Sequence, residues 1–363
     1  MAKRVGVDKW LFGVVLLLVL FGLVTVFSAS AVLAQASLGS PYSFVGRQAV
    51  WALLGLLAMV ALMRVDYRIY NNPRFIFPAV AATTLLLIGV FAMGGRNGAH
   101  RWIGVAGVTL QPSELAKPVL VFFLAYFLQT RIQQMDDVKG TILRAVAVPL
   151  VFTALILKEP DLGTGLVCMA VTALMLYLAG ARTRYFAIGA AVASPVLYYM
   201  LFHVAFRRAR MLAFINPEAD PKGTGFHILQ SLIAVGTGGI RGLGLMEGRQ
   251  KLFYLPEVQT DFIFANICEE LGLIGALLVV GLFVALGYRG LRAAFLSTDP
   301  FARFLAFGLT TAILIQAFFN MSVVLALLPT KGIPLPFISS GGTSVFITLA
   351  SMGVLLNITR EID

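Results

Sequence analysis

The segment Leu255-Pro256-Glu257-Val258-Gln259-Thr260-Asp261-Phe262 puts an acid at the mouth of an apolar run that itself carries Glu269 and Glu270. Carboxylates in or beside a bilayer are costly, so such a cluster asks for a chemical reason. Asp261 stands where a helix N-cap would stand, and a cap beside the positive helix end holds its proton weakly. A partly dehydrated pocket pulls the other way. The two effects together leave an ionised acceptor able to take a proton. Glu114 and Lys117 are spaced i, i+3 after Pro112-Ser113, hence on one helix face, either as a plain ion pair capped by Ser113 or as a pair facing a polar cavity. Lys158-Glu159-Pro160-Asp161 reads either as a solvated corner or as part of the same polar region. Lys331 sits in a stretch, 328–343, too rich in proline and glycine for regular helix. Such backbone is tolerated at membrane depth only when it is buried or lines a cavity. Lys331 is therefore either a snorkelling lysine or a cation anchored near that cavity.

These residues need a scaffold, and the composition names it. With 59% hydrophobic and 12% charged residues, the 363-residue chain is too apolar for a soluble domain and reads as an all-α integral membrane protein. The apolar runs are continuous instead of alternating, which selects helices over a barrel. Ten spans are expected, at about 10–29, 44–62, 75–93, 115–128, 145–157, 166–179, 186–202, 262–288, 304–327 and 344–358, forming a single membrane domain. Several are shorter than the roughly 20 residues of a straight span, so flanking polar residues such as Lys117 and Lys158 belong to the bundle. Lys and Arg in alternate short connections, among them Lys3, Arg4, Arg64, Arg131, Arg182, Arg289 and Arg360, put both termini on the cytoplasmic side. The first span is longer than a signal-peptide core and reads as an uncleaved anchor despite Ala34-Gln35-Ala36. Cys168 and Cys268 lie in expected helices and imply no disulfide framework.

Three extracytoplasmic connections stand out, at about 94–113, 203–260 and 328–343. Long connections in a compact protein are usually functional. The segment 203–260 is net positive, with Arg207, Arg208, Arg210, Lys222, Arg241, Arg249 and Lys251 against Glu218, Asp220, Glu247 and Glu257. It reads as a surface for anionic lipid headgroups or for a polyanionic substrate. Gly236, Gly238, Gly239, Gly242 and Gly244 favour the substrate, since glycines let backbone N–H groups approach phosphate oxygens closely.

Five motifs in order, Asn97-Gly98-Ala99-His100-Arg101-Trp102-Ile103, Gln111-Pro112-Ser113-Glu114-Leu115-Ala116-Lys117, Glu159-Pro160-Asp161-Leu162-Gly163-Thr164, the Pro256 to Ile263 segment with Glu269-Glu270-Leu271-Gly272, and the Lys331 stretch, resemble the SEDS family of shape, elongation, division and sporulation proteins. Leu328-Pro329-Thr330-Lys331-Gly332 and Gln316-Ala317-Phe318-Phe319-Asn320 lean to its division branch, whereas Gly225-Phe226-His227-Ile228-Leu229-Gln230-Ser231 leans to its elongation branch. The resemblance implies a ten-helix peptidoglycan glycosyltransferase of the bacterial cytoplasmic membrane. It would polymerise lipid II into undecaprenyl-pyrophosphate-linked glycan on the outer face, and would partner a class B penicillin-binding protein and other division membrane proteins, with no nucleic acid involved.

Carried over by position, the essential aspartate is Asp261, here assigned as general base. Arg101, Lys117, Lys331 and Arg210 would steady pyrophosphate charge, and Glu114, Glu159 and Asp161 would position those cations or ligate a divalent metal, Mg or Mn, whose need the sequence leaves open. The chain departs from the family's usual residues at Gln259, where histidine is common, and at Ser340, where tyrosine is common. The rival readings are the same activity in elongation, a lipid II flippase, which would need polar residues continuing to the cytoplasmic side, and a scaffold, which leaves Asp261, Glu114 and Lys117 without a task.

Overall fold

A computed structural model describes residues 6–92, 101–105 and 108–361. Their helices are α1 (Lys9–Leu38), α2 (Ser43–Leu62), α3 (Pro73–Gly89), α4 (Pro112–Gln129), α5 (Leu143–Lys158), α6 (Leu162–Leu178), α7 (Thr183–Phe202), α8 (Ala205–Ile215), α9 (Phe226–Gly238), α10 (Ile263–Leu296), α11 (Pro300–Val324) and α12 (Gly342–Thr359). Helix starts follow local chemistry. Asp8, Asn72 and Asp299 accept from the backbone N–H of Leu11, Arg74 and Phe301, and Pro73, Pro112 and Pro300 occupy first-turn positions where no N–H is needed.

All ten expected spans are present as helices, and the chain is a multi-pass membrane protein. Length and hydropathy alone pick out eight of them among the described residues. The other two are α4, made less apolar by Glu114 and Lys117, and α6, which is 17 residues long. The bundle is organised around α11, which packs on α4, α6, α10 and α12, while α12 lies along α2 and α1 lies along α2 and α10. At the edge of the bundle α7 has no buried residue.

The outer connections differ from the expectation of long loops. The segment 203–260 contains two helices, α8 and α9, with α9 packed on α10. Neither could register as a span, because α8 carries Arg207, Arg208 and Arg210 on an amphipathic turn pattern and α9 is only 13 residues long. In the first outer connection a short antiparallel hairpin, β1 (Ile103–Val105) with β2 (Val108–Leu110), pairs Ile103 with Leu110 and leads into α4. Asn97 to His100 of the first motif, with Lys3 and Arg4, lie outside the described residues.

The glycines of 238–244 do a different job from the one expected of them. α10 is broken at Gly272, whose φ of 64° and ψ of −158° suit glycine alone. The break leaves backbone groups without helical partners, and the glycine segment supplies them: Leu243 and Gly244 N–H donate to the carbonyls of Glu269 and Glu270, at 3.0 Å each, and Leu273 N–H donates to Gly239 O at 2.9 Å. A Cβ on Gly272 would stand 2.4 Å from Gly242 N. These N–H groups therefore satisfy a broken helix and are not free for phosphate.

Gly272→Ala is expected to destabilise the protein by more than about 3 kcal/mol, from the disallowed backbone together with the clash. Gly281→Ala, on an open face of the same helix, should be neutral or stabilising by up to about 1 kcal/mol. Thermal unfolding in detergent compares the two; equal melting temperatures would show that the crossing bears no strain.

Candidate active site

Asp261 ends an irregular segment between α9 and α10, and two polar residues fix that segment to the Lys331 stretch. Asn320, buried in α11, donates through Nδ2 to the carbonyls of Asp261 at 2.8 Å and Ile333 at 2.7 Å. Ser339 donates through Oγ to Thr260 O at 2.5 Å, and Ser340 N–H donates to Gln259 O at 2.8 Å. Gln48 of α2 donates to Ser339 O at 3.0 Å, and a Cβ on Gly22 of α1 would lie 2.6 Å from Phe337 O, so α1 and α2 back this stretch closely. The Asp261 segment and the Lys331 stretch are thus tied together although Asp261 and Lys331 are 70 residues apart in sequence.

The Asp261 side chain is not a cap. The N-cap position of α10 is Phe262, and no donor among the described residues bonds the Asp261 carboxylate. Its oxygen faces Gly332, close enough that a Cβ there would stand 2.8 Å from Oδ2. Burial pushes its pKa up to about 7, aided by the carboxylates of Glu257 and Asp161 and opposed by Arg101 and Arg210. The cap-like depression read from the sequence is therefore absent, and the dehydration side of that balance prevails.

On the other side of Gly332 lies a partly open cavity of about 50 Å³. Arg101, Arg207, Arg210 and Lys331 line it, with Asp161 as the acid in its wall. Arg101 is braced by the α5–α6 corner, its Nε and Nη2 donating to Glu159 O at 2.9 Å and Pro160 O at 2.6 Å. Arg207 donates to Leu157 O at 3.3 Å. Burial lowers the pKa of Lys331 to about 8. Burial also lowers the pKa of Arg210, with Arg101 adding to the effect and Asp261 opposing it.

Of the residues singled out in the sequence, Arg101, Asp161, Arg210, Lys331 and Asp261 come together here. Glu114 and Lys117 do not. Lys117 Nζ donates to Glu114 Oε2 at 2.9 Å and to Gln316 Oε1, and it borders a second, largely apolar crevice between α4, α11 and α12. Lys117 is therefore placed apart from the cations it was grouped with; through Gln316, which donates to Pro334 O at 2.9 Å, the pair reaches the underside of the Lys331 stretch.

The 158–161 corner is solvated only in part: Lys158, expected within the bundle, and Pro160 are exposed, whereas Glu159 and Asp161 turn inward. Asp161 is buried and caps α6, accepting from Thr164 N at 3.1 Å and Thr164 Oγ1 at 2.9 Å. Glu159 is fully buried with both carboxyl oxygens unpartnered, and burial, then Asp161, raises its pKa to about 8 against the pull of Arg101. Arg101 meets the backbone carbonyl of Glu159 and not its carboxylate. Arg207 was legible only as part of a charge run.

Among the described residues no group of three His, Cys, Asp or Glu side chains converges as a metal would require. Glu114 is held by Lys117 apart from the cavity, which leaves Glu159 and Asp161 as two acids without a third converging ligand, and no step below depends on a divalent ion.

A family model for cell cycle proteins, named for FtsW, RodA and SpoVE, matches residues 8–363. The chain belongs to that family. It is 44% identical over 344 residues to the probable peptidoglycan glycosyltransferase FtsW of Geobacter metallireducens, covering 94% of this chain and 91% of the relative. It is 39% identical to the stage V sporulation protein E of Bacillus subtilis, over 99% of this chain and 98% of that one. A solved structure described as showing structural coordination of polymerization and crosslinking by a peptidoglycan synthase complex superposes with a TM-score of 0.77 at 26% identity, over 98% of this chain and 97% of that chain. The division-branch likeness of the sequence agrees with the name of the FtsW relative.

The pKa positions set a pH profile. Asp261 must be ionised to accept a proton, so activity should rise as pH climbs through about 7. Lys331 must be charged to hold an anion, so activity should fall above about 8. Glu257→Gln removes one of the two carboxylates that, after burial, raise Asp261, and the acid limb of kcat/KM should move part of the way to lower pH. An unmoved acid limb would show that another group titrates there.

Proposed function

We propose that the chain polymerises lipid II as a peptidoglycan glycosyltransferase on the outer face of the cytoplasmic membrane, serving the septal wall in cell division. The observation that carries this reading is the pairing of one high-pKa carboxylate, Asp261, with a cavity lined by four cations at the same end of the bundle. A lipid-linked pyrophosphate suits such a cavity, and a sugar hydroxyl suits such a base.

In this scheme the acceptor 4-hydroxyl gives its proton to Asp261 while its oxygen attacks the anomeric carbon of the donor. The bond from that carbon to the pyrophosphate breaks on the opposite face, and its electron pair leaves on the phosphate oxygen. An α-linked donor thus gives a β-linked product by a single inversion. Arg101, Arg207, Arg210 and Lys331 stabilise the departing charge, and they do so strongly because they are held in place and partly shielded from water. Glu114 and Lys117 act at one remove, through Gln316 and Pro334, by holding the Lys331 stretch.

The solved relative, in which polymerisation and crosslinking are coordinated within one complex, supports a class B penicillin-binding protein as the transpeptidase partner here. Both termini fall on the cytoplasmic side in this reading, as the distribution of Lys and Arg requires.

Asp261→Asn is expected to lower polymerisation of lipid II by roughly two to four orders of magnitude, since it keeps shape and removes the base. Because the side chain caps nothing, Asp261→Ala should fold equally well. Gel analysis of glycan length, with and without the transpeptidase, reads the outcome; a wild-type rate in either variant would sink the assignment.

Arg101→Ala and Lys331→Ala should each cost roughly tenfold or more in turnover. Arg64→Ala, an exposed residue at the other end of the bundle, should cost little. Equal losses at all three positions would mark a general insertion defect. A wild type that speeds lipid II exchange between leaflets and makes no polymer would instead establish transport.

A further inference from the structure

Glu269 and Glu270 are buried in α10 and do not line the cavity, and the transfer scheme above gives them no task. Their side chains close a loop. Glu269 accepts from Arg249 N at 2.8 Å and from Gln250 N at 3.2 Å, across twenty residues of sequence. Glu270 Oε1 receives Lys251 Nζ at 2.6 Å, and both of its oxygens lie 2.6 Å from Ser28 Oγ of α1. Lys251 also reaches Ser28 Oγ at 3.2 Å. Lys251 and Glu270 are each less than a tenth exposed, so neither charge is shared with water.

The chain between these contacts, 252–262, contains no regular helix or strand and carries Asp261. Its far side is held by Asn320 and Ser339, as described above. On its near side Leu255 and Val258 are buried in the core, and the polar contacts are made at the neck, where residues 249–251 meet 269–270. A flexible loop pinned at one side can still swing about that pin, whereas one closed at its neck cannot. The neck lies immediately before the Gly272 break, so ordinary helix hydrogen bonding cannot hold it there. Ser28 ties it to α1, the helix whose Gly22 packs against the Phe337 carbonyl, so one helix braces both segments that meet at the site.

The geometry points to Ser28, Glu270 and Lys251, with Glu269 beside them, as a neck clamp that positions Asp261 for proton transfer. They are positioning residues, acting through the loop that they close, and this inference rests on the glycosyltransferase reading. The ion pair is neutral as a unit. Its removal should therefore lower kcat through geometry, without moving the pH limbs and without weakening lipid II binding.

The test uses the full chain in proteoliposomes with lipid II. Ser28→Ala removes the hydroxyl that donates to Glu270 and accepts from Lys251 but leaves the ion pair intact, and the double variant Lys251→Met/Glu270→Gln removes both charges together, so that neither leaves a lone buried ion. Each is expected to reduce kcat roughly tenfold to a hundredfold, the cost of a small misplacement at a reacting centre, with KM and the acid limb unchanged. Lys251→Arg, which keeps a cation able to reach Glu270, should retain most of the rate that the double variant loses.

Lowered melting temperatures with wild-type kcat in Ser28→Ala and in the double variant would overturn the inference and leave a purely structural clamp. A shifted acid limb would overturn it in favour of a direct electrostatic effect on Asp261. If the wild type makes no polymer at all, the glycosyltransferase reading fails, and the clamp loses its role with it.

Discussion

The site depends on one buried amide. Asn320 Nδ2 donates at once to the carbonyls of Asp261 and Ile333, joining α11, the segment that carries the acid and the stretch that carries Lys331. Irregular backbone at the end of a membrane bundle has carbonyls and N–H groups that no helix satisfies, and leaving one buried and unpaired costs about 1 to 3 kcal/mol. A side chain that satisfies two such carbonyls together also fixes the distance between them. The segments that carry the base and the cation are therefore held together by the same requirement that keeps the backbone satisfied.

The same requirement governs the rest of this end of the bundle. Gln48 serves the Ser339 carbonyl, Gln316 the Pro334 carbonyl, and Arg101 the carbonyls of the 159–160 corner. Where α10 breaks at Gly272, the 239–244 segment takes up the displaced backbone groups. Gln48, Gln316 and Asn320, polar side chains in apolar helices, thus hold pieces of non-helical chain in register. Rigidity at the site comes from these pairings, and rigidity is what a preorganised charge-stabilising cavity needs.

The charge distribution follows a division of labour. Cations with ordinary solvent access would be screened and would act weakly on a leaving group. Arg101 and Arg207 are steered by backbone carbonyls, which neutralise no charge, so their positive charge stays available to the cavity. Lys117, by contrast, is neutralised by Glu114 and stabilises structure. Burial acts in opposite senses on the two titrating groups, raising Asp261 and lowering Lys331, and so brings their pKa values to either side of a narrow working range.

The sequence by itself determined the ten spans, because continuous apolar runs can satisfy their backbone in a membrane only as helices. It also marked Asp261, Arg101 and Lys331 as unusual, because charge beside a bilayer is costly enough to be informative wherever it occurs. It could not show α8 and α9, whose lengths and charge mix match neither a span nor a loop, and it misjudged the glycines of 236–244 because an N–H made accessible for phosphate and one made accessible for a broken helix look alike in one dimension. Whether Asp261 caps α10 was decided by tertiary structure alone, since it turns on which way a single side chain points when Asn320 and Ser339 hold its backbone. The parting of Lys117 from the cavity cations has the same origin: a charge is read from its residue, but its partner, here Gln316 from a helix about 200 residues later, is chosen by packing.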